Sequence, residues 1–157
     1  MVASAARGWY GQVMTDFQLS LAFVHTSAPL ARLPLCEARL QLDARWPWVV
    51  LIPRCAGLRE IADLSPADRA VLIEEIVVAG EAVEAIGAAL GRPVEKLNTG
   101  ALGNITPQLH VHVVGRRADD PAWPGPVWGV GSAVAYGAKA LERAVAAATK
   151  VLVSSAG

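Results

Sequence analysis

Residues 108–114 (Gln-Leu-His-Val-His-Val-Val) alternate polar and apolar side chains and contain two of the chain's three histidines. Successive side chains of a β-strand point to opposite faces, so this pattern predicts a strand with one apolar face in the core. The opposite face carries Gln108, His110 and His112, spaced by about 6.6 Å along the strand. Histidine titrates near neutral pH and can act as a nucleophile or exchange protons. Because such a row adds nothing to the stability of a sheet, we interpret it as a functional site.

The His-x-His spacing also suits a metal site. Two neutral imidazoles two residues apart on a strand can chelate zinc, copper or iron. His25 or a carboxylate would have to complete the ligand set, and no third ligand in the sequence has a convincing spacing. A metal site is therefore the minor alternative, and no metal or other cofactor is expected.

A glycine-bearing loop leads directly into the predicted histidine strand and contains Gly103, Asn104 and Thr106. The main-chain N–H groups of residues 103 and 104, together with the threonine hydroxyl, could bind a phosphate without a cation. A Gly-Asn loop is in general a simple turn. Its position just before the histidines favours an anion-binding site here.

Two strands are predicted upstream. Residues 35–42 alternate, and residues 48–52 form an apolar run that ends at Pro53, which together indicate an antiparallel hairpin. The hairpin could bring Cys36 near Cys55, and we interpret both cysteines as free thiols. Residues 16–34 carry only a mixed pattern that Ser27, Pro29 and Pro34 interrupt.

A long helix is the most regular element of the sequence. It is predicted to begin at Ser65-Pro66, a serine cap followed by proline, and to end at Gly91. A short strand is predicted at 94–98 and an alanine-rich helix at 136–153. The long helix has an apolar stripe, and its acids are predicted to form the solvated face: Asp68, Glu74, Glu75, Glu81 and Glu84.

The chain has 157 residues with 14 basic and 14 acidic side chains, a length that suits one domain. The balanced charge gives no general attraction to nucleic acid or to an anionic membrane. No apolar run approaches the ~20 residues that span a bilayer, and two cysteines make no disulfide framework. We therefore expect a cytoplasmic protein. Residues 1–13 are predicted to be a poorly ordered leader, and 14–157 a single domain that includes the C-terminal helix.

The segments Asn98-Thr99-Gly100, Gly103-Asn104 and Gln108 to Val114 together resemble the signature of the histidine triad (HIT) family. That signature reads His-φ-His-φ-His-φ-φ, with φ apolar, after a glycine-bearing loop. The hairpin, the long helix and a tryptophan after the motif follow in the family's order, from about Leu33 to Trp128.

The sequence departs from the family pattern at four places. Gln108 occupies the first triad position, and Asn104 stands where glutamine is usual. The spacing from Asn98 to Gln108 is one residue short. Trp46-Pro47-Trp48 stands where the second hairpin strand usually carries a further histidine.

The resemblance implies an α+β fold, with an antiparallel sheet of about five strands, a long helix packed across it, and pairing into a homodimer. It also implies binding of an AMP-like purine nucleotide and reaction at the α-phosphate of a nucleoside phosphoramidate or dinucleoside polyphosphate. By position, His110 is the nucleophile and His112 contacts the phosphate and leaving-group side.

The resemblance also implies residues that bind the nucleotide. Asn98 and the loop of Gly103, Asn104 and Thr106 would lie at the nucleotide and its phosphate. Asp43 could bind the ribose hydroxyls, although an aspartate that only forms a turn is an equal alternative. Trp123 could lie against the base, across a dimer interface, although a packed tryptophan is the usual case.

Catalysis requires a neutral imidazole with its second nitrogen held as N–H by an acceptor. A main-chain carbonyl can be that acceptor for His110, and glutamine supplies the same carbonyl as histidine. His112 could donate to a phosphate oxygen or to the departing atom if it is protonated near neutral pH. Gln108 can donate through its amide but cannot carry charge. We therefore expect reduced or redirected catalysis, with nucleotide binding without catalysis as the alternative.

Overall fold

The computed structural model describes residues 17–155, so the predicted leader at 1–13 lies outside the described residues. The elements follow in this order: α1 (Leu21–Thr26), β1 (Ser27–Arg32), β2 (Cys36–Gln41), β3 (Trp48–Pro53), a short 3-10 turn (Ile61–Asp63), α2 (Pro66–Ala89), β4 (Lys96–Gly100), β5 (Val111–Arg116) and α3 (Ala138–Ser154).

The sheet has five strands in the order β1-β2-β3-β5-β4, and all neighbouring strands are antiparallel. β3 lies at its centre, and all six of its residues are buried. The predicted hairpin is present, with Cys36 opposite Pro53 and Leu40 opposite Val49. The α+β class with an antiparallel sheet of five strands is therefore confirmed.

Helix α2 begins as its sequence predicts. The Ser65 hydroxyl accepts a hydrogen bond from the Asp68 main-chain N–H at 3.1 Å, and Pro66 occupies the first turn, where no main-chain donor is needed. The apolar side of α2 packs on β3 and β5, and α3 packs against α2 and β1. Both helices cover the same face of the sheet and build the main core with it.

A second, smaller apolar cluster lies on the other face of the sheet. Phe23 of α1 and Val127 of the loop after β5 pack there against side chains of β3 and β5. Its buried members include three aromatic side chains: Phe23, Trp46 and Trp48. The sheet is therefore covered on both faces, by long helices on one and by a short helix and a loop on the other.

The structure differs from the sequence-based expectations at three points. The strand expected from residue 108 begins at Val111, because the N–H of Leu109 donates to the carbonyl of Leu58 at 2.9 Å and not to a neighbouring strand. The mixed pattern before residue 34 forms α1 and β1. Glu75, expected on the solvated face of α2, is 5% exposed and accepts hydrogen bonds from the N–H groups of Leu35 and Cys36.

Both cysteines are free thiols, as expected, with Cys36 buried and Cys55 half-buried. Burial, together with the nearby Glu75 carboxylate, raises the pKa of Cys36 far above its ordinary value. Between residues 17 and 155, no helix is both long and apolar enough to cross a membrane.

Candidate active site

His110 and His112 lie side by side on the face of the sheet opposite α2 and α3. His112 is in β5, paired with Val50 of β3 and with Gly100 of β4. His110 immediately precedes the strand. The two imidazole rings meet edge to face, with centroids 4.7 Å apart at an interplanar angle of 87°.

The protonation of His110 is fixed by main-chain geometry. Its Nδ1 lies 2.7 Å from the carbonyl oxygen of Gln108. Since a carbonyl oxygen only accepts hydrogen bonds, Nδ1 carries a proton, and in the neutral ring the lone pair is therefore on Nε2. This main-chain contact is the one that the sequence analysis described as able to set the tautomer of His110.

The ring of His110 is largely covered, since the residue is only 6% exposed. Its neighbours are aromatic: the ring of Phe23 lies 4.8 Å away on one side, and the imidazole of His112 lies on another. Phe23 belongs to α1, so this short helix covers one side of the His110 ring.

The protonation of His112 is fixed by a tryptophan. The indole Nε1 of Trp48 lies 3.0 Å from Nδ1 of His112. An indole N–H can only donate, so Nδ1 of His112 accepts and the ring proton sits on Nε2. Burial, aided by the nearby His110, lowers the pKa of His112 to about 3. The condition set in the sequence analysis, a protonated His112 near neutral pH, is therefore not met; the ring is a neutral Nε2–H donor.

Aromatic rings enclose His112. Its ring centroid lies 5.3 Å from that of Trp48 and 5.8 Å from that of Trp128. Gly100 allows Trp128 to approach β4, because a Cβ at residue 100 would lie 3.1 Å from the indole ring. Sequence reasoning did not assign Phe23, Trp48 or Trp128 to the site. The signal for Trp48 was its position in place of the family's further histidine.

The side chain of Gln108 makes a contact that was not expected. Its amide oxygen accepts from the N–H of Ser20 at 2.9 Å, and its amide nitrogen donates to the carbonyl of Gln18 at 2.9 Å. Ser20 is the cap of α1. Gln108 therefore anchors the chain that leads into α1, and its amide, which the sequence analysis described as an available donor, is already hydrogen-bonded within the protein.

Asn98 lies on the same face of the sheet as the two histidines. Its side-chain amide oxygen already accepts a hydrogen bond from the guanidinium of buried Arg116 at 2.7 Å. Arg116 in turn forms a 2.7 Å ion pair with Asp120.

The carboxylate of Asp43 is also bound to other groups of the protein. Its carboxylate is buried, forms a 2.7 Å ion pair with Arg45, and accepts from the main-chain N–H of Val134. Hydrogen bonds from Arg45 outweigh the effect of burial and lower the pKa of Asp43. Asn98 and Asp43 thus hold the loops around the site.

The loop before the histidines is the open side of this region. Gly103 has a φ of +68°, a conformation that favours glycine, and Asn104 is exposed. Thr106 is half-buried. Trp123 is 43% exposed, and its ring centroid lies 5.7 Å from Cζ of the Arg116 guanidinium. The tryptophans that pack against His112 are Trp48 and Trp128, whereas Trp123 packs against Arg116.

The described residues contain no group of three or more histidine, cysteine, aspartate or glutamate side chains able to hold a metal ion. Both Nδ1 atoms of the histidine pair are engaged, by Gln108 and by Trp48. The His-x-His metal alternative therefore lacks its third ligand in this part of the chain.

Comparisons with known proteins agree with this geometry. A family model described as the HIT domain matches residues 22–119. Crystal structures of histidine triad proteins from Sinorhizobium meliloti and Bradyrhizobium japonicum are 41% and 35% identical to this chain, with TM-scores of 0.79 and 0.80. They cover 88% and 87% of this chain, and 99% and 98% of their own. A search of curated proteins found no match.

A third histidine triad structure, from Marinobacter aquaeolei, is 36% identical, has a TM-score of 0.78, and covers 88% of this chain and 97% of its own. Proteins with this domain are generally nucleotide-binding hydrolases or transferases. The motif, the five-stranded sheet, the imidazole pair and these matches lead to one conclusion. The chain belongs to the histidine triad family.

Proposed function

We propose that this protein is a nucleotide-binding hydrolase or nucleotidyl transferase that acts at the α-phosphate of a nucleoside phosphoramidate or dinucleoside polyphosphate. The observation that carries the proposal is the 2.7 Å contact between His110 Nδ1 and the Gln108 carbonyl. This contact leaves the Nε2 lone pair free beside a second imidazole that can donate a hydrogen bond.

The proposed reaction has two steps. The Nε2 lone pair of His110 forms a bond to the α-phosphorus, and the bond to the leaving group breaks, its electron pair leaving on a phosphate oxygen or on an amine that takes a proton from solvent. Water then attacks the phosphorus of the nucleotidyl-histidine and releases a proton to solvent, and the electron pair of the P–N bond returns to Nε2. The Nε2–H of His112 stabilises the charge that develops on the phosphate oxygens, as a donor that is already in place. Neither step requires Gln108 to carry a proton.

The phosphate is proposed to bind at the main-chain N–H groups of Gly103 and Asn104, with the Thr106 hydroxyl nearby. Asn104 is exposed, and Gly103 and Thr106 are half-buried, so solvent reaches this loop, which supports the assignment. Asp43 and Asn98 are proposed to support the site from behind, because their polar atoms already bind arginines. The substrate is a purine nucleotide of the AMP type.

The protein is proposed to act as a homodimer, the assembly that the family resemblance implies. β4 (Lys96–Gly100) forms one edge of the sheet in residues 17–155, and we propose that a second copy pairs along this edge. Trp123 would then reach a base only in the partner's site, since within one chain it lies over Arg116. Sedimentation equilibrium tests the assembly: a single monomeric species at micromolar concentration contradicts it.

Release of AMP from an adenosine phosphoramidate and from a dinucleoside polyphosphate tests the proposed function. The expected result is turnover by the wild-type protein and none by His110→Ala. Unchanged turnover in His110→Ala would refute the role of this imidazole. The second candidate is a nucleotide-binding protein without catalysis, favoured by glutamine at position 108. Measurable AMP binding without turnover would establish it.

A further inference from the structure

The contact between Trp48 and His112 limits the charge that His112 can carry. An imidazolium bears a proton on both ring nitrogens. If Nδ1 of His112 carried a proton, its N–H would face the indole N–H of Trp48 at a nitrogen–nitrogen distance of 3.0 Å. Two donors would then meet without an acceptor. His112 can therefore become cationic only by breaking the contact with Trp48, whose side chain is 7% exposed and packed in the second core.

The other neighbours of His112 provide no anion that would stabilise a cationic ring. β4 presents Gly100, the loop after β5 presents the indole of Trp128, and the titratable neighbour is the imidazole of His110. Within residues 17–155, no carboxylate forms a hydrogen bond or ion pair with either imidazole. The low pKa of His112, about 3, agrees with these contacts and has the same physical origin in burial.

We propose that Trp48 is a positioning residue that keeps His112 a neutral Nε2–H donor, and that the site therefore prefers nucleoside phosphoanhydrides to phosphoramidates. This inference rests on the proposed function. Of the two proposed substrate classes, phosphoanhydrides and phosphoramidates, the first is preferred, and the preference depends on Trp48, which lies outside the triad motif.

The preference follows from the fate of the leaving group. When His110 attacks a phosphoanhydride, the P–O bond breaks and its electron pair stays on a phosphate oxygen, which departs as a stable anion without needing a proton. When it attacks a phosphoramidate, the P–N bond breaks and the amine needs a proton to depart. A neutral imidazole is a poor acid, and the amide of Gln108 cannot supply a proton. The anhydride is the substrate that this pair can cleave unaided.

Nitrogen-15 NMR of the imidazoles tests the positioning role without any substrate. The free wild-type protein is expected to show His112 as the Nε2–H tautomer, uncharged from pH 8 down to about pH 4. In Trp48→Phe, which keeps an aromatic ring but removes the donor, we expect a mixture of tautomers and a higher pKa for His112. Titration of wild-type His112 near pH 6.5, or an Nδ1–H tautomer, would overturn the proposal even if Trp48→Phe failed to fold.

Trp46→Phe is the matched control, because Trp46 is buried in the same cluster and its ring packs edge to face on Trp48 at 6.4 Å, whereas the imidazole hydrogen bond belongs to Trp48. The same change at residue 46 is expected to leave the His112 tautomer as in wild type. A matching loss of the Nε2–H tautomer in Trp46→Phe would show that general packing, and not the Trp48 donor, sets the state of His112, and would overturn the proposal.

Kinetics test the substrate class. General acid catalysis contributes about 10²–10⁴-fold, so we expect kcat/KM for diadenosine tetraphosphate to exceed that for adenosine phosphoromorpholidate by about 100-fold or more. The ratio is expected to narrow in Trp48→Phe below pH 6 and to stay unchanged in Trp46→Phe. Faster cleavage of the phosphoramidate by wild type would overturn the preference. Absence of turnover with both substrates would refute the proposed function, while the NMR result would still decide the role of Trp48.

Discussion

The two imidazoles of this site have complementary protonation states. His110 presents a lone pair at Nε2 because the Gln108 carbonyl holds its other nitrogen as N–H. His112 presents an N–H at Nε2 because Trp48 donates to its other nitrogen. One ring is thereby suited to attack phosphorus and its neighbour to bind the oxygens that become negative. Position 108 contributes its main chain to this pairing, which explains why glutamine is compatible with it.

At the residue scale, His112→Ala is expected to lower kcat by about 10²–10³-fold, the effect of losing one donor to a developing anion. KM is expected to change much less, because the interaction strengthens in the transition state. Steady-state release of AMP from diadenosine tetraphosphate measures both. His25→Ala is the control, since His25 is exposed in α1. An unchanged kcat in His112→Ala would remove this imidazole from the mechanism.

At the scale of the elements, α1 depends on a contact that reaches across the chain. Gln108 binds the main chain of Gln18 and Ser20 and so holds α1, with Phe23, against His110. Two hydrogen bonds of about 1 kcal/mol each are lost in Gln108→Ala. We therefore expect His110 to become accessible about 5–30 times more often.

The rate at which diethyl pyrocarbonate modifies His110 measures this opening, with the exposed His25 as internal reference for the intrinsic reaction. Gln108→Ala is expected to accelerate modification of His110 and to leave that of His25 unchanged. An unchanged rate at His110 would show that Gln108 does not control the cover formed by α1.

A second link joins α2 to the start of β2. The Glu75 carboxylate accepts from the N–H groups of Leu35 and Cys36 at 2.7 and 2.9 Å in a buried position. Glu75→Ala leaves two buried donors without partners, so we expect the free energy of unfolding to fall by about 2–3 kcal/mol. Glu74→Ala, the exposed neighbour on the same helix, should change it by less than about 0.5 kcal/mol. Urea unfolding measures both, and equal effects would contradict the role of Glu75.

Elements with a regular period could be predicted from the sequence, whereas isolated contacts could not. α2 repeats its apolar positions over 24 residues and carries its own start signal. α1 has only six residues and one buried side chain, Phe23, so it has no period to detect. Glu75 is a signal that was missed, because it lies three residues after Leu72 and four before Ala79, on the apolar side of the helix.

The histidine face was predictable from alternation, but the partners on it were not. Trp48 alternates with Val50 and Ile52, which places it on the same side of β3 as the cluster around the site. Its pairing with His112 depends on the antiparallel register of β3 and β5, with Trp48 opposite Val114. Register between strands that are far apart in sequence is set by the packed sheet, and no local pattern reports it.

At the scale of the whole molecule, the loop after β5 is fixed to the sheet by a buried ion pair. Burial alone would raise the pKa of Asp120, but hydrogen bonds from Arg116 and from the N–H groups of Ala122 and Arg117 lower it to about 2. A carboxyl whose pKa is lower in the folded state stabilises the protein above its unfolded pKa of about 3.9. That stabilisation, about 2–3 kcal/mol, is lost as the pH falls from about 4 through 2.

Asp120→Asn is therefore expected to reduce the fall in unfolding free energy between pH 5 and pH 2, measured by urea titration at each pH. Asp119→Asn is the control, because the Asp119 side chain is 71% exposed and water screens its pairing with Arg117. If the unfolding free energy falls as much between pH 5 and pH 2 in Asp120→Asn as in wild type, other carboxylates cause the loss of stability in acid.

The central claim is that His110 attacks the α-phosphorus and carries the nucleotide between the two steps. The most direct test mixes the protein with diadenosine tetraphosphate, quenches within milliseconds under alkaline conditions that preserve the P–N bond, and analyses the digested chain by mass spectrometry. One adenylyl group is expected on the peptide that contains residues 108–116, located on His110 and absent in His110→Ala. Turnover with no adduct on that peptide, or with the adduct on His112, would contradict it.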